Sequence, residues 1–269
     1  MLELTAKNLN KALSSNNKRL ELDEKTFTKA NTIIEKLLTG GKHLTRKEIM
    51  QALEKKGIKT DDLRAGHIMF RAETDLVVCN GIKREKQFTY ALFDERVPSS
   101  KKLTREDALT RLARRYFFSH GPASLKDFAW WSGLSLTDAT KALESVKSKL
   151  ICEKYKDDLF WFSSEQAFSK SKVNHIALLP SFDEFLISYK SREISVDTEH
   201  MPRTFTNNGI FNPVIVHNAK VIGTWKPQYK KEVLITPFFF NDPSKKIRQL
   251  CMKAAGKLES YLQQPVKLL

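Results

Sequence analysis

The chain has 269 residues, 41% of them apolar, and 46 lysines and arginines against 31 acids, a formal net charge of +15. That size predicts two or three small domains, each with enough apolar content to bury a core. Cys79, Cys152 and Cys251 lie far apart with no paired spacing, which argues against a disulfide framework and against a zinc site. No apolar run approaches a membrane span and the start carries no secretory pattern, so no membrane is expected and the reducing cytosol is the default compartment.

Met1 is followed at once by a helical pattern, Leu2, Leu4, Leu9, Ala12 and Leu13. Phe27–Leu38 is a second amphipathic helix, with Ala30, Ile33, Ile34, Leu37 and Leu38 on one face and Gly40-Gly41 ending it. Thr45, three residues before Glu48, is a capping box opening a helix through Lys55, which Gly57 closes. Thr60 or Asp61 is placed to cap a third helix, through about Ala72. Leu76–Cys79 and Gln87–Phe93 then flank Asn80–Lys86 as a hairpin with a basic tip.

The same order returns downstream. His120-Gly121-Pro122 stops a helix containing Arg111–Phe118, and Ser124 with Asp127 starts a short one through Trp131. Ser132–Ser135 is a turn of helix-turn-helix length, and Ser135 caps a helix that buries Ala139, Ala142, Leu143 and Val146. Leu150–Lys154, the turn Asp157-Asp158 and Leu159–Phe162 form a second hairpin. Three helices followed by a hairpin is the order of a winged helix, so the chain is expected to be α+β with tandem winged-helix units. The two copies share pattern rather than sequence.

The last third differs. His175–Leu179 reads as a strand with His175 a satisfied core histidine, 191–209 as a loop, and Val214–Val216, Val221–Trp225 and Val233–Phe239 as strands. Asn218 sits in a tight turn, and Lys226–Lys231 forms a tip. Asp242-Pro243-Ser244 caps a helix through about Leu262. A small antiparallel sheet packed by one helix is predicted, giving domains 1–98, 99–170 and 171–269. The positive excess is spread over all three, +5, +4 and +6 in turn, as suits a long polyanion touched by several domains.

The runs RRYFFSHGPASLKDFAWWSGL, LLPSFDEFLISYKSR, KQFTYALFDERVP and VIGTWK together resemble the AlkZ-like winged-helix DNA-binding family, which includes bacterial DNA glycosylases that unhook interstrand crosslinks. The resemblance covers about residues 1–240. It implies tandem winged helices in a C-shaped arrangement, a basic concave surface for duplex DNA and a β-hairpin that probes the lesion. In the family's glycosylases, excision depends on a Gln-x-Gln motif in an upstream winged helix. That motif has no match here: no two of Gln51, Gln87, Gln166, Gln228, Gln249, Gln263 and Gln264 are separated by one residue. Met1–Leu13 is accordingly expected to be the tail of a domain the family carries upstream, either in a shortened homologue or in a truncated frame.

Candidate contacts follow. Arg64, His67 and Arg71 form one stripe of the first unit's third helix, either meeting phosphates and guanine edges or forming a solvated face paired with Asp61, Glu73 or Asp75. Lys83, Arg84 and Lys86 crown the first hairpin. Lys226, Lys230 and Lys231 lie on the hairpin that resembles the family's probing hairpin, with an ordinary charged turn as the alternative. Of Trp130 and Trp131, one is expected in the core and the other at an inter-domain contact. Asp183 and Glu184, the acidic pair in an apolar setting, are weak catalytic candidates: a raised pKa would suit a general acid or base, whereas the alternative is a helix cap or an ion pair with Lys190 and Arg192. No metal, cofactor, nucleophile triad or phosphate-cradling loop is expected. The function expected is duplex-DNA binding by a monomeric, cytoplasmic, nucleoid-associated relative of repair glycosylases, non-catalytic without the glutamines. The alternatives are a glycosylase using other residues and a winged-helix protein–protein module.

Overall fold

Residues 1–61, 63–98, 102–165 and 174–269 are described in the computed structural model of the chain, and their contacts group into two units, Met1–Leu109 and Thr110–Leu269. The expected domain boundaries at 98/99 and 170/171 fall beside or within 99–101 and 166–173, outside the described residues. Residues 110–165 and 174–269 share the second unit.

In the first unit, α1 (Leu2–Ala12) and α2 (Ser14–Arg19) precede α3 (Glu24–Leu38). Asp23 caps α3, its carboxylate accepting from Thr26 N at 2.7 Å. Gly40 and Gly41 turn the chain at φ +83° and +70°, and their N–H groups donate to Glu95 at 2.9 and 2.6 Å. A two-residue strand, β1 (Leu44–Thr45), leads into α4 (Arg46–Lys55), where both halves of the Thr45–Glu48 capping box form. The next helix, α5 (Arg64–Thr74), has neither expected cap: its N-cap is Leu63, and the Thr60 hydroxyl donates to Glu54 instead. Leu76 takes φ +59°, so the hairpin starts later than expected, as β2 (Val78–Asn80) and β3 (Thr89–Leu92), followed by α6 (Phe93–Arg96). β3 lies between β1 and β2. Phe27, Ala30, Ile34 and Leu38 of α3 meet Ile49, Leu53, Ile68, Ala72 and Val78 in the core.

In the second unit, α7 (Arg105–His120), which begins in the first unit's last residues, leads to β4 (Ala123–Ser124), α8 (Leu125–Ser132) and α9 (Leu136–Glu144). Ser124 and Asp127 form the expected capping box, Gly133 ends α8 at φ +70°, and Ser135 accepts from Asp138 N at 3.1 Å. β5 (Leu150–Tyr155) and β6 (Asp158–Ser163) pair around Lys156, which takes φ +53°, and β4 adds to the far side of β6. Tyr116, Phe117 and Phe128 are fully buried beneath.

The remaining strands are β7 (Ile176–Leu179), β8 (Val214–His217), β9 (Lys220–Tyr229) and β10 (Val233–Phe239). They pair antiparallel in chain order, with Asn218 and Ala219 both at positive φ in the β8–β9 turn. The short helices α10 (Glu184–Ile187) and α11 (Met201–Thr204) lie between β7 and β8. α12 (Lys245–Leu262), capped by Ser244, buries Cys251 and Ala255 against Ile215, Val233 and Ile235.

Three expectations are corrected. The sheet is not purely antiparallel, because β11 (Val266–Leu268) pairs parallel to β10. His175 is exposed and precedes β7. Residues 191–209 are more than a loop, since they include α11 and the wholly buried Val196.

Candidate nucleic-acid interface

The expected stripe on α5 is occupied by the fold itself. Arg64 Nη1 donates to the Leu20 carbonyl and its Nε to the Lys59 carbonyl at 3.0 Å. His67 Nδ1 and Asn17 Oδ1 are hydrogen-bonded at 2.6 Å. The Arg71 guanidinium forks onto Glu24 with two bonds of 2.7 Å, grips Asp75 at 2.8 Å, and lies 5.2 Å from the Phe27 ring centre. The Glu24 fork, then Asp75, raises the Arg71 pKa against the opposing effect of burial, and the same fork lowers the Glu24 pKa. α1 packs on α5, with the Thr74 hydroxyl bonded to Asn10 at 3.0 Å. No residue of α5 is fully exposed.

The hairpin tip beyond β2 and β3 is open. Arg84 and Gln87 exchange backbone bonds of 3.0 and 2.9 Å around Glu85 and Lys86. Arg84 is clamped to Glu48 at 2.8 Å and to the His43 carbonyl at 2.7 Å, and the Thr45 amide and hydroxyl with Arg84 hold the Glu48 pKa down to about 2. Lys83 stands 4.7 Å from the Phe88 ring centre. Lys86 is exposed, with no ion pair to a described residue.

In the second unit α9 is the open counterpart of α5: Leu136, Thr137, Thr140, Lys141 and Glu144 are exposed while Ala139, Ala142 and Leu143 are buried. On the β9–β10 hairpin, Lys226 belongs to β9 rather than to the tip, 5.6 Å from the Phe238 ring centre. The turn proper is Lys230–Glu232, closed by Lys230 N to Glu232 O at 3.1 Å. Lys226, Lys230 and Lys231 are exposed, without an ion pair to a described residue. Tyr229 beside them is 69% exposed.

Asp183 and Glu184 are both engaged as hydrogen-bond acceptors. Asp183 caps α10, accepting from Phe185 N at 2.9 Å. Glu184 accepts from the Ser188 hydroxyl, from Trp131 Nε1 at 3.2 Å and from His120 at 3.5 Å. Led by the Ser188 bond, these donors lower its pKa rather than raise it. A carboxylate held ionised is an acceptor at neutral pH, so the raised pKa expected for a general acid is absent. Neither residue pairs with Arg192, whose guanidinium bonds the Leu186 carbonyl at 2.8 Å and stacks on Phe205 and Phe211. Both tryptophans bind the segment after β7: Trp130, 54% exposed, donates to the Ile187 carbonyl at 3.0 Å.

Sequence patterns missed Asp127's second role. Beyond the capping box, its other oxygen accepts from Lys190 N at 2.8 Å and Ser191 N at 3.3 Å. Asp127, Tyr155, Lys156, Phe160, Tyr189 and Arg192 contribute to the lining of a cavity of about 400 Å³. No group of three or more metal-binding side chains occurs among the described residues. Among them no helix is long and apolar enough to cross a membrane.

Comparison with known proteins supplies first the class, that of relatives of DNA glycosylases. The fold resembles the Streptomyces sahachiroi DNA glycosylase AlkZ at a TM-score of 0.77 and 19% identity, over 100% of this chain and 76% of that one. An interstrand DNA cross-link repair glycosylase of Streptomyces sahachiroi is 24% identical over 171 residues, 60% of this chain but only 46% of that relative. The chain belongs to the DNA glycosylase AlkZ-like family, which matches residues 1–260.

Proposed function

We propose that the chain holds duplex DNA as a scaffold for the repair of alkylated or crosslinked bases. In this reading the α3–α4–α5 and α7–α8–α9 triplets, each followed by a hairpin, are winged helices. The observation that carries it is the set of exposed lysines at two hairpin tips, Lys83 and Lys86 in one and Lys230 and Lys231 in the other, in a +15 chain of a glycosylase family. Exposed cations free of acidic partners suit phosphates, which position a protein on DNA without reading its sequence. Arg64, His67 and Arg71 steady the first winged helix, so its contact is assigned to the wing, whereas α9 offers the second unit a free helix face. The binding protein is proposed to be a monomer at its bacterial, nucleoid-associated site, since tandem winged helices can embrace a duplex without a two-fold partner.

The chemistry is proposed to lie outside this chain, because it lacks the Gln-x-Gln motif and Glu184 is held as an acceptor. Fluorescence anisotropy with a labelled duplex at a series of salt concentrations tests the binding: affinity falls steeply with salt, and Lys230→Ala with Lys231→Ala flattens that slope by nearly one for each phosphate no longer neutralised. Binding no tighter than that of an acidic control protein, or insensitive to salt, refutes the reading. Release of an N7-alkylated guanine by this chain alone, abolished in Glu184→Gln, refutes the non-catalytic assignment.

A further inference from the structure

Resting on the duplex-DNA reading above, we propose that Ile82 and Phe88, at the hairpin tip between β2 and β3, form an apolar wedge that enters the minor groove of duplex DNA while Lys83 and Lys86 meet the flanking phosphates. Ile82 and Phe88 are 62% and 68% exposed. Both lie in the tip between the last ladder pair, Asn80–Tyr90, and the Arg84–Gln87 bridge, which is shifted by one residue from that register.

The backbone beneath them is pinned. Ile82 N donates to His43 Nδ1 at 3.0 Å, and the Thr89 hydroxyl donates to the Ile82 carbonyl at 2.6 Å. A Cβ at Gly81 would stand 2.4 Å from Thr89 Oγ1 and 2.5 Å from His43 Nδ1, so the base of the tip has no slack. Arg84 ties the outer turn to Glu48 and the His43 carbonyl. Two large apolar side chains therefore project from a braced ribbon whose turn is two residues wide, and little ordering remains for binding to impose.

The surrounding charge selects the occupant. Lys83, Arg84 and Lys86 border the apolar pair, and the one acid not spent on a cation is Glu85 at the turn. An apolar point ringed by cations is complementary to a groove floored by base edges and walled by phosphates. Wedges of this kind unstack a base step from the minor-groove side.

The full chain is titrated onto a labelled duplex across a salt series. Ile82→Ala combined with Phe88→Ala is expected to weaken binding about tenfold or more with the salt slope unchanged, because an apolar contact releases no counterion. Lys83→Ala and Lys86→Ala each lower the slope by about 0.9. Phe88→Lys separates wedge from charge: it weakens binding if the ring is inserted and strengthens it if only charge counts. A minor-groove ligand such as netropsin competes with the wild type. Unchanged affinity in the double variant, or tighter binding by Phe88→Lys, overturns the wedge while salt-dependent binding by the wild type upholds the DNA reading. Absence of wild-type binding overturns both. A double variant that keeps its DNA affinity but loses self-association in sedimentation reassigns the tip to a contact between copies of the chain, and also overturns the wedge. Both side chains are exposed, so circular dichroism of the variants is expected to match the wild type, and Phe88→Leu retains most of the affinity.

Discussion

Replacing Arg71 by Ala separates a structural arginine from a DNA-binding one. In the structure its side chain is 20% exposed and joins α5 to the start of α3 through Glu24 and to the end of its own helix through Asp75. The Glu24 side chain is 76% exposed, so solvent screens that fork and it contributes at most about 1 kcal/mol. Asp75 is 29% exposed, and losing its charge-assisted bonds costs about 1.5 kcal/mol. Removing the stack on Phe27 adds about 0.5 kcal/mol. The loss is then about 2–3 kcal/mol, which for a unit of about 100 residues lowers Tm by roughly 10 °C or more. Urea unfolding of the full chain checks this through a lower midpoint at unchanged slope, with DNA titrations run in parallel. The salt slope of Arg71→Ala is expected to equal that of the wild type once measured well below its Tm. An Arg71→Ala protein of wild-type stability whose slope falls by about 0.9, the increment for one phosphate contact, would refute the reasoning.

Two carboxylates set an acid limb. Glu48 titrates at about 2 in the fold against an ordinary 4.5, and the Glu184 pKa is also lowered. Their stabilising contribution is complete above about pH 4.5 and is lost as pH falls through the lower folded values. Glu48→Gln is therefore expected to flatten the decline of the urea midpoint between about pH 4.5 and 2, and an unchanged decline contradicts it. Tyr116→Phe removes a buried bond of 3.0 Å to the Ser188 carbonyl and is expected to cost about 1–2 kcal/mol in the same assay. Thiol labelling by a disulfide reagent is expected to reach exposed Cys152 first and half-buried Cys79 more slowly. Buried Cys251, whose thiol pKa is pushed up by burial, should react only on unfolding, and its reaction in the native protein would contradict the α12 packing.

What the sequence made legible was local. The capping boxes of Thr45 with Glu48 and Ser124 with Asp127, the cap at Ser135 and the positive-φ Gly133 all close within a few residues, so spacing alone announces them. The roles of the charged residues were not legible, because their partners are remote. Arg64 bonds a carbonyl 44 residues away, Arg71 a carboxylate 47 residues away and Asp127 an amide 63 residues away. A basic stripe at helical spacing looks the same whether it faces water or a neighbouring segment, and only docking of residues 17–24 on α5 distinguishes the two. β11 was missed for a similar reason: three residues of strand form because β10 offers an edge, not because Val266–Leu268 prefer one. The exposed pair Ile82 and Phe88 left a faint trace, two large apolar residues flanking a basic turn where a soluble hairpin usually carries polar ones.

Tyr116 and Tyr189 exchange their phenol donors across the second unit. Tyr116 reaches the carbonyl of Ser188, next to Tyr189, and Tyr189 reaches that of His120, at the end of Tyr116's own helix, at 2.8 Å. With Asp127 holding the amides of Lys190 and Ser191, the clasp joins segments separated by 60 or more residues through groups largely withdrawn from water. Separately produced polypeptides 1–165 and 174–269 would therefore bind each other, elute together and part only in denaturant. Expressed alone, either polypeptide would bare aromatic surface cut to fit the other, so these two stretches of the chain cannot be shuffled as independent beads.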